Sequence, residues 1–267
     1  SNKHLPRLLY FYSMYIDSHT HLYVQEFADD RAEVIARALA AGVSQFLLPA
    51  IDSETTQAMH QLKRDYPNSI HLMMGLHPTH VGPNVEKELA HVKSQLETDA
   101  FVAVGEIGID LYWDKTTLSQ QQQAFRIQIQ WAKEKNLPIV IHCREAFDEI
   151  FEILEEEKAP SLRGVFHCFT GNLEQAHRAI GFGMKLGVGG VVTFKNGKID
   201  QFLDQIDLKH IVLETDAPYL APTPYRGKRN ESAYLLEVAK RVAEIYGKKI
   251  EEIAEITTQN SKSIFGI

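Results

Sequence analysis

The sequence predicts an α/β protein built as a single (β/α)8 TIM barrel. Eight short apolar runs rich in β-branched residues recur at intervals of about thirty residues, and stretches with helical spacing of apolar residues separate them. Eight such units in about 250 residues match the size of a closed parallel barrel. The alternative is an open doubly wound sheet, which normally carries a glycine-rich phosphate turn after its first strand, where this chain has His19-Thr-His21.

The elements can be assigned in chain order from these patterns. We expect the eight strands at residues 14–20, 44–50, 70–76, 101–107, 138–143, 164–169, 184–190 and 210–216. Two of the intervening helices are clear, one over 29–42 with Gly42 as its stop signal and one over 119–136 with apolar residues at three- and four-residue steps. The "GVGG" at 187–190 indicates close backbone packing in the seventh strand rather than a nucleotide site.

Length, composition and charge are those of an ordinary globular protein. The chain has 267 residues, of which 44% are hydrophobic and 24% charged. We expect one domain over 14–267. Residues 1–13 precede a methionine and do not match the later pattern, so we interpret them as an N-terminal extension or a cloning scar.

No apolar run approaches the roughly 18 residues of a membrane span, so we expect a cytoplasmic protein with no membrane contact and no obligate protein partner. The net charge of −7 argues against non-specific coating of nucleic acid and leaves room for a small basic site.

Metal-binding residue types lie at the carboxyl ends of the predicted strands, where barrel enzymes carry their chemistry. These residues are His19, His21, Glu106, His142, His167 and Asp216. Burying unpartnered ionisable groups there would cost several kcal/mol, so we expect them to share a partner. Six ligands are too many for one tetrahedral site, but they suit two cations roughly 3.5–4 Å apart, bridged by Glu106 or Asp216.

A pair of divalent cations would make this constellation a hydrolytic centre. The cations lower the pKa of bound water and polarise the bond that is attacked. Mixed imidazole and carboxylate ligands suit zinc, manganese, iron or cobalt, whereas magnesium usually prefers more oxygen ligands. The ligands therefore narrow the identity of the metal without naming it.

Other residues at the same rim are candidate substrate contacts. His77 ends the third strand in "GLHP" without a second ligand motif, which favours a substrate contact over a metal contact. Arg144 can hold an anionic group through its fork of donors. Arg226, Lys228 and Arg229 in "YRGKRN" follow the eighth strand and form a candidate phosphate grip.

The two cysteines each follow a histidine directly. Strand alternation predicts that Cys143 and Cys168 face away from His142 and His167, beneath the outer helices. We expect them to be small buried packing residues and not ligands or nucleophiles.

Taken together, the motifs resemble the TatD family of metal-dependent hydrolases, within the amidohydrolase-like barrel group. The resemblance runs from about Met14 to Ile267 and rests on "DSHTHL", "GLHP", "GEIGID", "IHCR", "HCFTG", "ETDAPYL", "PYRGKRNES" and "TTQNSKSIFG", in the family's order. The chain departs from the family at Ser232, where proline usually follows "RNE". That departure touches no candidate ligand.

The resemblance implies specific roles for these residues. The implied ligand sets are His19, His21 and Asp216 for one metal, His142 and His167 for the other, and Glu106 as the bridge. It also implies two divalent cations (Mg, Mn or Zn) and deoxyribonuclease activity on DNA or nucleotides, often from a 3′ end. Glu106 and Asp216 are then the catalytic carboxylates, with Asp216 the proton acceptor from the attacking water.

Two other functions remain open from the sequence. The same centre could hydrolyse an acyl, amide or aminoacyl ester bond, as a D-aminoacyl-tRNA deacylase does, because the activated water can attack either phosphorus or an acyl carbon. A non-catalytic metal-dependent binding protein is the third, which the complete ligand set disfavours.

Overall fold

The barrel predicted from the sequence is present in the computed structural model, which describes residues 14–267. Eight parallel strands follow one another in chain order around one sheet. Their bounds are β1 Tyr15–Asp17, β2 Val43–Leu48, β3 Ile70–Met74, β4 Phe101–Asp110, β5 Ile139–Arg144, β6 Gly164–Phe166, β7 Met184–Val188 and β8 Ile211–Leu213. Each strand falls on one of the expected runs, so the predicted fold class is confirmed. The prediction for residues 1–13 lies outside the described residues.

The first and last strands meet at their carboxyl ends. The Ser18 N–H donates to the Leu213 carbonyl at 3.1 Å, and the Asp216 N–H donates to the His19 carbonyl at 2.9 Å. These bonds bring the loops after β1 and β8 together at one side of the barrel mouth.

The helices form the outer layer, with one departure from regular alternation. Their bounds are α1 Arg31–Ala40, α2 Thr56–Asp65, α3 Val85–Leu96, α4 Leu118–Lys135, α5 Phe147–Glu156, α6 Leu173–Gly181, α7 Leu235–Tyr246 and α8 Ile250–Phe265. After β7 the described chain makes four 3₁₀ turns instead of an α-helix, and β8 is followed by both α7 and α8. The stop predicted after α1 is confirmed, because Gly42 has a φ of 93° that favours glycine.

The interior of the barrel is filled at the amino-terminal end of the strands. One inward-facing residue from each of seven strands packs there with the end of α8: Ile16, Leu47, Met73, Ala103, Val140, Val165, Val212, Ile264 and Phe265. The Asn260 side chain holds α8 in place by donating to the Leu208 and Ile211 carbonyls at 2.7 and 2.8 Å. The packed bottom leaves the opposite, carboxyl-terminal end for the polar site.

Within residues 14–267, none of the helices combines the length and the apolar character needed to cross a membrane.

Candidate metal centre

The six predicted ligands converge at the carboxyl end of the barrel, although not all through strand geometry. Glu106 and His142 lie inside β4 and β5, whereas β1 ends at Asp17, before both histidines of the first motif. The first strand, expected over 14–20, therefore ends three residues early. The loop after the strand, not alternation along it, aims both rings at the centre.

Buried Asp17 holds that loop in shape. Its carboxylate accepts hydrogen bonds from the His19 N–H at 3.3 Å, the Thr215 N–H at 3.0 Å and the Thr215 hydroxyl at 2.6 Å. Because Thr215 immediately precedes Asp216, one carboxylate ties the loops after β1 and β8 together. Sequence reasoning passed over Asp17, the first residue of the "DSHTHL" motif.

Asp216 itself has an unusual backbone. Its φ is 58°, in the left-handed region that non-glycine residues rarely occupy. The Asn230 side chain braces this turn by donating to the Thr215 and Tyr219 carbonyls at 2.7 and 2.8 Å. Strain of this kind persists only where the surroundings enforce it, and it is typical of functional sites.

The first group of ligand atoms surrounds Glu106 Oε2 and Asp216 Oδ1. His19 Nε2 lies 3.2 Å from Glu106 Oε2 and 3.5 Å from Asp216 Oδ1. His21 Nε2 lies 3.2 Å from Asp216 Oδ1 and 3.9 Å from Glu106 Oε2. Ligands about 2.0–2.2 Å from a tetrahedral metal stand about 3.3–3.6 Å from one another, so this spacing suits a divalent cation.

The second group surrounds the other oxygen of the same carboxylate. Glu106 Oε1 lies 3.1 Å from His142 Nδ1, 3.4 Å from His167 Nε2 and 3.4 Å from His77 Nε2. Glu106 thus presents one oxygen to each of two imidazole groups, which is the arrangement of a bridging carboxylate. His77, predicted as a substrate contact, is as close to this oxygen as His167, so its geometry also permits metal binding.

Hydrogen bonds at the far ring nitrogens orient two of the histidines. The His167 Nδ1–H donates to Glu214 Oε2 at 3.0 Å. The Tyr23 hydroxyl donates to the Pro49 carbonyl, so at 3.1 Å it accepts from the His21 Nδ1–H. These bonds hold the Nδ1 side of each ring and turn Nε2 toward the carboxylates, which is how metal-ligating histidines are oriented.

His19 provides the test of whether a metal fits here. Both of its ring nitrogens are buried and make no hydrogen bond within the part of the chain that the structure describes. A buried polar atom without a partner is costly, and Nε2 of this ring faces two carboxylate oxygens across the gap a metal would fill. The donor set of imidazoles and carboxylates therefore fits a divalent cation.

The electrostatics favour carboxylates that stay anionic. Burial would raise the pKa of Glu106, but the charges of His167, His77 and His19 hold it well below its usual range. Burial lowers the pKa of His77 to about 4 and also lowers that of His19. For His167, burial opposes protonation, but the charges of Glu214 and Glu106 outweigh it and raise the pKa to about 10. Without a cation, the centre thus combines anionic carboxylates with neutral His19 and His77 and a protonated His167, whose proton a bound cation would displace.

Two further carboxylates belong to the site and escaped sequence reasoning. Asp110 Oδ2 lies 2.7 Å from His142 Nε2, and Glu214 braces His167. Asp110 could have been found, because it follows Glu106 by four residues in the same strand and so points to the same face. Glu214 stands two residues before Asp216 in the "ETD" motif.

The centre lies in an open cavity of about 610 Å³, a size that suits a small-molecule or nucleotide ligand. His77 and Arg144 line this cavity, so these two predicted substrate contacts stand beside the metal-binding groups.

The three cations of "YRGKRN" are not in the cavity wall. Arg229 pairs with Asp30 at 2.6 Å, and Arg226 stacks 3.7 Å from the ring centroid of Phe194. Lys228 is exposed. A direct role for these residues in binding phosphate stays a prediction.

One of the two cysteines departs from the expectation of strand alternation. Cys168 comes after β6 with a φ of 45°, and it lines the cavity, so the prediction that it faces the helices is wrong. Cys143 packs against the core under the helices, as expected, yet also reaches the cavity wall. Burial raises the pKa of Cys143 to about 12 and that of Cys168 well above its usual value, so both stay as neutral thiols.

Comparison with known proteins shows similarity along nearly the whole barrel. A family model described as TatD related DNase matches residues 16–266. The uncharacterized metal-dependent hydrolase YabD of Bacillus subtilis is 40% identical over 255 residues, which cover 95% of this chain and 100% of that protein. The 3′-5′ ssDNA/RNA exonuclease TatD of Escherichia fergusonii is 34% identical over 253 residues, which cover 91% of this chain and 95% of that protein.

A solved structure gives the same picture in three dimensions. The crystal structure of YjjV, a TatD homologue from Escherichia coli K12, matches with a TM-score of 0.90 at 30% identity, covering 96% of this chain and 99% of that one.

Proposed function

Because the chain belongs to the TatD related DNase family of metal-dependent hydrolases, we propose that it is a nuclease that hydrolyses phosphodiester bonds in DNA. We further propose that it uses two divalent cations and removes nucleotides from a 3′ end. The naming of two family relatives as 3′-5′ ssDNA/RNA exonucleases supports the substrate class and the direction.

The observation that carries the proposal is the position of Glu106. One of its oxygens faces His19 and His21, and the other faces His142 and His167. A carboxylate shared in this way suits a pair of cations that clamps the attacking and leaving oxygens of a phosphodiester.

We propose that His19, His21 and Asp216 hold one cation, His142 and His167 hold the second, and Glu106 bridges them. When bound, the cations would supply an attacking water of lowered pKa and polarise the phosphoryl oxygen.

Asp216 is the proposed proton acceptor. Its side-chain contacts with the histidines run through Oδ1, and the structure records no partner for Oδ2 among residues 14–267. The free Oδ2 can take the proton of the attacking water, because Asp216 lines the cavity where that water must stand.

Arg144 and Lys228 are the proposed phosphate contacts. The Arg144 guanidinium lines the cavity, and no carboxylate within the described range 14–267 forms an ion pair with it. Lys228 is exposed and free to reach a more distant phosphate, whereas the neighbouring Arg226 and Arg229 are engaged by Phe194 and Asp30. His77 stays a candidate contact on either the substrate or the second cation.

The function is tested with protein of defined metal content on a panel of substrates: single-stranded DNA, double-stranded DNA, RNA, an aminoacyl ester and a simple amide. We expect cleavage of single-stranded DNA with Mg²⁺, Mn²⁺ or Zn²⁺, and mononucleotides released in order from the 3′ end. DNA left uncut under every metal, together with turnover of the ester or amide, would replace the nuclease proposal by the acyl hydrolase alternative.

Glu106→Gln tests the two-cation arrangement. The neutral amide should lower the bound metal below two equivalents and reduce turnover by about 10³-fold or more, since a metal centre contributes several kcal/mol to the barrier. Metal analysis and steady-state rates measure both effects, and circular dichroism checks the fold. Glu155→Gln, an exposed carboxylate on α5, is the matched control. Full activity of the wild-type protein with one equivalent of metal would contradict the arrangement.

A further inference from the structure

Trp113 and Arg144 line the cavity and form an exposed cluster with the neighbouring Tyr112, and these three side chains are here called the aromatic rim. Trp113 is 70% exposed and Tyr112 is 50% exposed. Their rings meet edge to face with centroids 4.9 Å apart, and the Arg144 guanidinium carbon lies 3.7 Å from the Tyr112 ring centroid. Two adjacent aromatic rings left in water beside a polar site are typical of a binding surface.

The aromatic rim is held in register with the metal centre by one carboxylate. Asp110 Oδ1 accepts the Tyr112 N–H at 2.9 Å and the Trp113 N–H at 3.1 Å, while its Oδ2 contacts His142 Nε2 at 2.7 Å. The Gln121 side chain in turn accepts the Asp110 N–H at 2.8 Å. A ligand that stacks on the rim is therefore placed at a set distance from the ligands around Glu106.

The opposite wall of the cavity carries apolar surface as well. Tyr219 and Leu220, both exposed, follow β8 and line the cavity. In an eight-stranded barrel β8 lies across the mouth from β4, and Tyr112 and Trp113 follow the carboxyl end of β4. The cavity thus has a polar floor between two apolar walls, which suits planar bases joined by an anionic backbone.

Arg144 adds the charge that such a ligand needs. Stacking on a ring does not consume the N–H donors of a guanidinium, and this side chain has no carboxylate partner in the described range 14–267. Its donors are free for a phosphate.

We propose that the aromatic rim is a base-stacking subsite, in which the Trp113 indole stacks on an unpaired base of the strand whose phosphodiester lies at the metal centre, and Arg144 binds a phosphate of that strand. The proposal rests on the proposed nuclease function and specifies how the substrate is recognised. Every base has a π-face, so stacking selects unpaired over paired bases without reading sequence.

Fluorescence of Trp113 tests the contact without relying on cleavage. The chain has two tryptophans, so Trp131→Phe leaves Trp113 as the only indole. In Ca²⁺, a single-stranded thymidine oligonucleotide should quench this signal with saturation. Trp113→Ala should weaken binding by about 5- to 100-fold, and Trp113→Phe should recover part of the loss. Leu39→Ala, an exposed apolar residue on α1, is the control and should bind as the wild type does.

Cleavage tests whether the stacked base belongs to the reacting strand. An abasic nucleotide is moved one position at a time through the end that is cut. In the wild type, an abasic nucleotide at one position should raise KM by about the factor by which Trp113→Ala weakens binding, with little change in kcat. In Trp113→Ala, an abasic nucleotide at that position should leave KM unchanged. The preference for single-stranded over blunt-ended duplex DNA should also shrink in this variant.

The outcomes separate this proposal from the function on which it rests. If the wild type cleaves DNA and Trp113→Ala has the same KM, Kd and sensitivity to abasic nucleotides, only the proposed subsite is overturned. If DNA quenches the fluorescence of Trp113 but the wild-type protein never cuts that DNA, the proposed subsite stands and the proposed nuclease function is overturned. A wild type that neither binds nor cuts overturns both.

Discussion

At the scale of single residues, the proposed metal centre depends on side chains that orient the proposed ligands from behind. Glu214 accepts from His167 Nδ1–H and Asp110 contacts His142 Nε2, so each ring has its second nitrogen held by a carboxylate. Such partners orient the ring and raise its basicity as a ligand. Glu214 and Asp110 are therefore as much a part of the proposed centre as the ring nitrogens that face Glu106.

Glu214→Gln measures this support. The amide can still accept from His167 but has lost its charge, so we expect the metal affinity of the site to fall about 10- to 100-fold. Because Glu214 is a positioning residue, excess metal should restore most of the turnover. Calorimetric metal titration of apoprotein and activity against added metal check this, with Glu155→Gln as control. Turnover that stays low at saturating metal would point to a direct role in the reaction.

At the scale of elements, the strands place side chains on faces whose environments differ sharply. His71, the second residue of β3, lies outside the centre, and its Nε2–H donates to the Gln45 side chain of β2 at 2.6 Å. Burial, assisted by the charge of Lys63, lowers the pKa of His71 to about 4. His71 therefore differs in role from the histidines near the mouth of the barrel.

His71 makes stability depend on pH. The unfolded chain binds the proton more tightly, with a pKa near 6.5, so the contribution of neutral His71 is complete above about pH 6.5 and is lost as the pH falls toward 4. We expect His71→Gln to flatten the decline of the unfolding midpoint across this window. Urea unfolding at a series of pH values measures it. The control is His177→Gln, at an exposed position of α6, and an unchanged slope in His71→Gln would contradict the assignment.

Gly187, the single glycine of β7, leaves space for a carboxylate of the centre. A Cβ on Gly187 would stand 2.9 Å from Glu214 Oε2 and 3.1 Å from the Phe166 carbonyl. The expectation of close packing from "GVGG" is thereby explained, since Glu214 occupies the space that a side chain would take.

Gly187→Ala should therefore disturb the site through the strand. The methyl group must displace Glu214 from His167, so we expect weaker metal binding of the same sign as in Glu214→Gln. Gly247→Ala, where an added Cβ meets nothing within 4 Å, controls for the loss of glycine, although its φ of 62° will itself reduce stability. Unchanged metal affinity in Gly187→Ala would show that Glu214 can move without cost.

At the scale of the whole molecule, stability and chemistry occupy opposite ends of the barrel. The end of α8 closes the bottom with Phe265, which is buried among the inward-facing strand residues. The cavity opens at the other end. Changes at the bottom should therefore alter the free energy of unfolding and leave the site intact.

Phe265→Ala tests this separation. Removing a buried phenyl ring should lower the free energy of unfolding by about 3 kcal/mol or more. Metal content and KM, measured well below the unfolding transition, should match the wild type. Leu39→Ala, on the outer surface of α1, should change neither quantity by a measurable amount. A loss of bound metal in folded Phe265→Ala would show that the two ends are coupled.

The amino-acid sequence determined the barrel and the six ligand candidates, because both depend on local order: apolar runs repeat along the chain, and ionisable residues end them. The alternation of side chains along β4 also implied that Asp110 lies on the same face as Glu106. Tertiary structure alone decided the rest. Whether Arg229 meets Asp30 or a phosphate, and on which side Cys168 emerges, depends on loops whose path is set by partners distant in the chain. The division of Glu106 between two groups of imidazoles likewise appears only when separate strands close into one ring, since no single segment contains both groups.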